Sequence, residues 1–285
     1  MNFETLISCA DAHAHLADPD WVFVDSRYSL TDSSQGERDY QAGHIPGAVY
    51  AHLGHDLSGR AIPGKTGRHP IPDEADCVAA FENLGITNAS QVVSYDANNG
   101  VMASRLWWLL RWAGHTKVAV LDGGFGHWAT TGLPMRPGTE VRARGSFTPH
   151  FVSGLNVDLA MVDKLRHDPA YALLDVRTAD RYRGENETID AVGGHIPGSR
   201  NLPFNQHLGA DGLHVAPDTL LAQFAQAEDG RDADHVVFSC GSGVTAAHAA
   251  MLHLHAGLAM PKIYAGSFSE WIANPSRRVA TGPNP

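Results

Sequence analysis

Cys240 closes an apolar, strand-like run, His235-Val236-Val237-Phe238-Ser239. It opens Cys240-Gly241-Ser242-Gly243-Val244-Thr245, which leads straight into a helical stretch from Ala246 to Leu254. A strand, a glycine-bearing loop and a helix in that order set a thiol in a cup of backbone N–H groups, at the positive end of the helix dipole. Such a setting favours the thiolate, the form of cysteine that attacks other atoms. The chemistry expected is covalent: the sulfur takes up a group and passes it on in a second step.

The other two cysteines read as structural. Cys77 shares helical i, i+3, i+4, i+7 spacing with Ala80, Phe81 and Leu84, and Cys9 lies beside Leu6 and Ile7. Three cysteines are too few for a disulfide framework, and no CxxC or Cys/His cluster suggests a metal. His13, His15, His253 and His255 read as surface or core polar groups.

The elements that must hold Cys240 occur twice. Val22-Phe23-Val24-Asp25-Ser26-Arg27 matches Ala172-Leu173-Leu174-Asp175-Val176-Arg177. Gly43-His44-Ile45-Pro46-Gly47 matches Gly194-His195-Ile196-Pro197-Gly198, and Val92–Asp96 matches Val236–Cys240. Gly123, Phe125 and Trp128 match Gly266, Phe268 and Trp271. The offset stays between 143 and 151 residues, which indicates a duplicated domain. Short apolar strands alternate with amphipathic helical stretches in each half, the pattern of an α/β fold with a parallel sheet. We expect a first domain over 1–135, a Gly/Pro/Arg-rich linker over 136–154 and a second domain over 155–285.

Two asymmetries separate the copies. Asp96 stands where the second half has Cys240, so the first domain is expected to be non-catalytic, with Asp96 as a helix cap. The first half is also seven residues longer between its His-Ile-Pro-Gly motif and its Val-Val strand. The extra length falls near Gly54–Asp73 and includes the polar loop Pro63-Gly64-Lys65-Thr66-Gly67-Arg68-His69-Pro70.

The 285 residues are 43% hydrophobic and 18% charged, with net charge −10. No basic run points to nucleic acid or an anionic membrane as partner. No stretch approaches the ~20 apolar residues of a membrane span. Met1-Asn2-Phe3-Glu4 does not begin a secretory signal, and a cytoplasmic location is expected.

The paired His-Ile-Pro-Gly motifs, the Leu121–Trp128 segment and the cysteine loop together make the whole chain resemble the two-domain rhodanese family of thiosulfate and 3-mercaptopyruvate sulfurtransferases. The resemblance implies tandem rhodanese-like domains, each a mostly parallel sheet flanked by helices, with only the second active. It implies that Cys240 takes a sulfur atom from a small anionic donor as a persulfide and yields it to a thiol, cyanide or a reduced dithiol protein, without metal or organic cofactor. The amides of Gly241, Gly243, Val244 and Thr245 would hold the outer sulfur's charge.

The neutral Cys-Gly-Ser-Gly-Val-Thr loop resembles the mercaptopyruvate type, since thiosulfate enzymes usually carry basic residues after the cysteine. Arg181 matches the family's donor-binding arginine, and Ser242 and His69 match the serine and histidine of a described relay. Two positions depart from that type. Asp190 occupies the place of its second arginine, and no carboxylate stands near His52-Leu53 where the relay aspartate belongs; Asp56 is only close in sequence. Arg183 or Arg177 could compensate for the missing arginine, although a structural ion pair is the expected role of Arg177.

The expected function is sulfur transfer from 3-mercaptopyruvate through a Cys240 persulfide, with thiosulfate as the alternative donor. A non-catalytic sulfur-binding or sensing module is a third reading. A cysteine phosphatase is disfavoured because its phosphate loop needs arginine six residues after the cysteine, where this chain has Ala246.

Overall fold

The computed structural model describes residues 2–285, which fall into two compact units. The first comprises the chain up to Gly59, Pro72–Val152 and Ala210–His214; the second comprises Arg60–Ile71, Ser153–Gly209 and Val215–Pro285. The segment Arg60–Ile71, which lies in the first half of the sequence, thus packs with the second unit. The short segment Ala210–His214 makes the opposite exchange, and His214 Nδ1 lies 2.7 Å from Asp122 Oδ1 within the first unit.

The strands of the first unit are β1 (Leu6–Ile7), β2 (Trp21–Asp25), β3 (Val49–Tyr50), β4 (Gln91–Tyr95) and β5 (Val118–Leu121). They form a sheet of order β1-β5-β4-β2-β3 with parallel pairing. In the second unit, β6 (Ala172–Asp175), β7 (Arg200–Asn201), β8 (Val236–Ser239) and β9 (Lys262–Ile263) form a parallel sheet of order β7-β6-β8-β9. A parallel bridge from Asn156 to Ile263 takes the place that β1 holds beside β5. The central strands β2, β4, β6 and β8 are buried along their whole length. Their continuous runs of Val, Leu and aromatic residues are what a parallel sheet covered on both faces requires.

The motif residues that reveal the duplication are structural hardware. Arg27 grips Asp25 through Nε and Nη2 and donates from Nη2 to Gly43 O at 2.7 Å, with its guanidinium 4.2 Å from the Phe125 ring centre. Arg177 does the same with Asp175, Gly194 O and Phe268, at 2.7 and 4.2 Å. The histidines of the two His-Ile-Pro-Gly motifs are fully buried. Their Nδ1 atoms lie 2.9 and 2.8 Å from Tyr40 O and Tyr182 O, and each ring stacks on the same tyrosine. Trp128 and Trp271 each donate an indole N–H to a downstream carbonyl, on Pro134 and Arg278. The arginine pins tie the ends of β2 and β6 to the His-Ile-Pro-Gly segments that follow them, so the two units are braced in matching ways.

Candidate active site

The strand β8 ends at Ser239, and the helix Val244–His255 begins four residues beyond Cys240. The turn between them is made possible by Gly243, which caps the helix with φ +79°. A Cβ at that position would lie 2.3 Å from Ala265 O, so glycine is needed for conformation and for space alike. The turn folds the Gly243 N–H back onto Cys240 Sγ at 3.1 Å. Cys240 is 2% exposed, and the unsatisfied amides of the helix's first turn follow directly in the chain. The arrangement can hold negative charge on one sulfur or on a pair of sulfurs.

Ser267 supports this loop from below. Its Oγ accepts the Cys240 N–H at 3.0 Å and donates to Tyr264 O at 2.8 Å, while the Phe268 N–H binds Cys240 O at 3.0 Å. Ser267 adopts φ +55°, a left-handed conformation that costs a side-chain-bearing residue ~1–2 kcal/mol. The matching position in the first unit is Gly124, at φ +59°. Serine replaces glycine in the copy that carries the cysteine, and the hydroxyl engages the cysteine's own amide.

The long loop of the first half adds Arg68 and His69 to the site. His69 Nδ1 lies 3.0 Å from Ser242 Oγ, and both residues are buried. Arg68 donates its backbone N–H to Ser269 Oγ at 3.1 Å, and its guanidinium pairs with Asp190. Asp190 also accepts from Arg181 Nη2 at 3.0 Å. Arg181 is held in a two-pronged pair by Glu187, at 3.0 and 2.9 Å, and Glu187 in turn lies 3.5 Å from Arg177. Gly241 leaves room for these groups: a Cβ there would stand 2.9 Å from Arg68 Nη2 and 3.6 Å from Arg181 Nη2.

The second unit thus carries a thiol under a backbone amide, with two guanidinium groups against the next residue, on a sheet whose twin in the first unit lacks the thiol. Residues 8–131 and 158–274 each match the rhodanese-like domain. The chain belongs to the rhodanese-like family. A probable 3-mercaptopyruvate sulfurtransferase of Pseudomonas aeruginosa is 42% identical to this rhodanese-like chain over 99% of its length and 100% of the relative's. A putative thiosulfate sulfurtransferase of Mycobacterium tuberculosis is 35% identical, with 98% of each chain covered. The 3-mercaptopyruvate sulfurtransferase from Leishmania major superposes with a TM-score of 0.83 at 31% identity, over 94% of this chain and 74% of that one. The rhodanese-like chain is accordingly a sulfurtransferase.

Of the residues singled out in the sequence, Cys240, Gly241, Ser242, Gly243, Val244, Thr245, His69 and Arg181 lie in this second rhodanese-like unit. All but Arg181 and His69 belong to the loop or the first turn of its helix. Arg183 is a third exposed and pairs with Glu185, so it takes no part in the guanidinium cluster. Arg177 is buried in its pair with Asp175. Asp56 accepts the His52 N–H at 2.7 Å in the first unit. Arg68, Glu187 and Ser267 were not singled out as site residues. The signal for Arg68 was its place beside His69 in the lengthened loop.

The first unit answers the anion cup with a side chain of its own. The buried Asp96 carboxylate accepts from the N–H groups of Asn98 and Gly100 at 3.0 Å each, Met102 at 2.8 Å and Ala103 at 3.3 Å. A fixed carboxylate fills the amides that would otherwise receive an anion. Asp96→Ala should therefore destabilise the protein by about 1.5–3 kcal/mol and leave kcat of the folded enzyme unchanged. Urea unfolding and steady-state turnover on one preparation check both halves of that expectation.

Proposed function

We propose that this sulfurtransferase takes sulfur from 3-mercaptopyruvate, holds it as a persulfide on Cys240 and delivers it to cyanide, a small thiol or a reduced dithiol protein. The observation that carries the reading is Cys240 Sγ held under the Gly243 N–H at a helix start, with Arg68 and Arg181 against the next residue. In the first step the Cys240 thiolate attacks the donor's sulfur. An S–S bond forms, the C–S bond breaks, and its electron pair leaves on carbon as pyruvate enolate, which takes a proton to become pyruvate. In the second step the acceptor attacks the outer sulfur and the S–S pair returns to Cys240 as thiolate. The loop amides stabilise charge on the outer sulfur between the two steps.

In this reading Ser242 donates the enolate's proton and His69, whose Nδ1 lies 3.0 Å from Ser242 Oγ, replenishes it. No aspartate at the relay position is needed for that role. Ser242→Ala should lower kcat with 3-mercaptopyruvate by about a hundredfold, within the usual range for a lost general acid. It should affect thiosulfate far less, because sulfite leaves without protonation at carbon. Equal losses with the two donors would remove the relay.

Support for the mercaptopyruvate reading over the thiosulfate one comes from the neutral residues Gly241 and Ser242 after the cysteine, and from the relative in Pseudomonas aeruginosa. Among the described residues no helix is long and apolar enough to cross a membrane, and we place the enzyme in the cytoplasm. The test of the donor is cyanide-dependent thiocyanate formation with each substrate. The reading expects kcat/KM at least about tenfold higher for 3-mercaptopyruvate, the value of one well-made ionic contact. A preference for thiosulfate would replace it with the alternative donor.

A further inference from the structure

Arg68 carries a hydrogen-bond donor that the described structure leaves unused. Its Nη1 is taken by Asp190 and its Nη2 faces Gly241, yet its Nε is buried and has no partner. An unsatisfied buried N–H is a standing desolvation cost that a bound acceptor would remove. Burial also lowers the guanidinium's pKa, although arginine keeps its charge in proteins. The same guanidinium reaches the loop through Nη2, 2.9 Å from where a Gly241 Cβ would stand.

The charges around it are balanced. Arg177 faces Asp175 and Glu187, Arg181 faces Glu187 and Asp190, and Arg68 faces Asp190. Three guanidinium groups thus meet three carboxylates before the Cys240 thiolate is counted. Asp190 is the carboxylate nearest the loop, with Oδ2 3.7 Å from the place of a Gly241 Cβ, and its side chain is 1% exposed.

We infer that Arg68 is a donor-binding residue and that Asp190 sets the charge of its subsite, so that the subsite takes a singly charged carboxylate and disfavours a dianion. Arg68 and Arg181 offer directed N–H groups, which a planar carboxylate accepts well. Asp190 cancels the surplus positive charge that a doubly charged donor would need next to a thiolate. Arg68 brings a guanidinium to the Asp190 carboxylate from a segment more than a hundred residues earlier. The inference rests on the sulfur-transfer reading and adds to it the groups that choose the donor.

The test uses the whole enzyme with cyanide as acceptor, measuring kcat and KM for 3-mercaptopyruvate and for thiosulfate. Asp190→Asn removes one negative charge, which at contact distance should raise the thiosulfate-to-mercaptopyruvate ratio of kcat/KM by about tenfold or more. Arg68→Gln removes one positive charge and should move that ratio about as far the other way, with KM for 3-mercaptopyruvate rising and kcat little changed. The two variants have opposite expected signs, so a general loosening of the site cannot imitate the result. Unchanged ratios in both, or a shift of the same sign in both, would overturn the inference. If the unaltered enzyme forms no thiocyanate from either donor, the sulfur-transfer reading itself fails.

Discussion

Cys240→Ser should abolish sulfur transfer from every donor, with a fall in kcat/KM of at least about 10⁴-fold, the scale seen when a covalent nucleophile is removed. A serine hydroxyl fits the space and can accept the Gly243 N–H in place of the sulfur. The variant should therefore fold like the parent, and the lost activity can be assigned to chemistry. An alkoxide does not form readily at that position and does not accept a sulfur atom from a C–S or S–S bond. Turnover that survives in Cys240→Ser would mean that the nucleophile lies elsewhere in the chain. The same substitution separates an enzyme from a sulfur-sensing module only in company with turnover by the parent, since both use the thiol.

Arg181→Ala should damage the enzyme in two ways, through the ion-pair network and through the donor's contact. Arg181 is the shared partner of Glu187 and Asp190, whose side chains are only 4% and 1% exposed. Its removal leaves Glu187 with a longer contact to Arg177 and with the backbone N–H groups of Ile189 and Asp190. Breaking a buried charge pair by deleting one member costs about 3–5 kcal/mol, and we expect a loss near the lower end because Asp190 keeps Arg68. The donor also loses a charge-assisted contact of about 1.5–3 kcal/mol, a rise in KM of roughly ten- to a hundredfold. Urea titration measures the first effect and steady-state kinetics at a temperature well below unfolding measures the second. Arg181→Lys should retain part of the affinity and lose the two-pronged grip on Glu187. An Arg181→Ala enzyme with both stability and KM unchanged would remove the residue from the site and from the network.

What could be read from the sequence was what is local or repeated. The Cys240 loop is contiguous, and its strand, glycines and helix announce themselves by type and spacing. The duplication showed through pairs such as Asp25 with Asp175 and Trp128 with Trp271, because each pair has the same job in its own unit. The guanidinium cluster was not legible in the same way. Arg68 and Asp190 are 122 residues apart in the chain, and neither type nor spacing announces an ion pair over that distance. Asp190 had been read only as the absence of an arginine, and the structure shows it joining two arginines together. Ser267 carried no signal either: its left-handed backbone and its bond to the Cys240 amide emerge only when Gly124 is seen at the matching place. The path of the loop from Arg60 to Ile71 was likewise hidden, since a Gly/Pro-rich polar segment shows where a chain turns and not what it packs on.

The measurement that bears most directly on the central claim is the mass of the protein after incubation with 3-mercaptopyruvate, followed by peptide mapping. The account predicts a gain of one sulfur atom, located on the Cys240 peptide and discharged by cyanide as thiocyanate. Cys9 and Cys77 should remain unmodified. Burial pushes their thiols up to about 11 and about 12, with Asp122 adding to the effect at Cys9, so neither has thiolate to offer near neutrality. A stable outer sulfur found on Cys9 or Cys77, or none found on Cys240 while thiocyanate accumulates, would contradict transfer through a Cys240 persulfide.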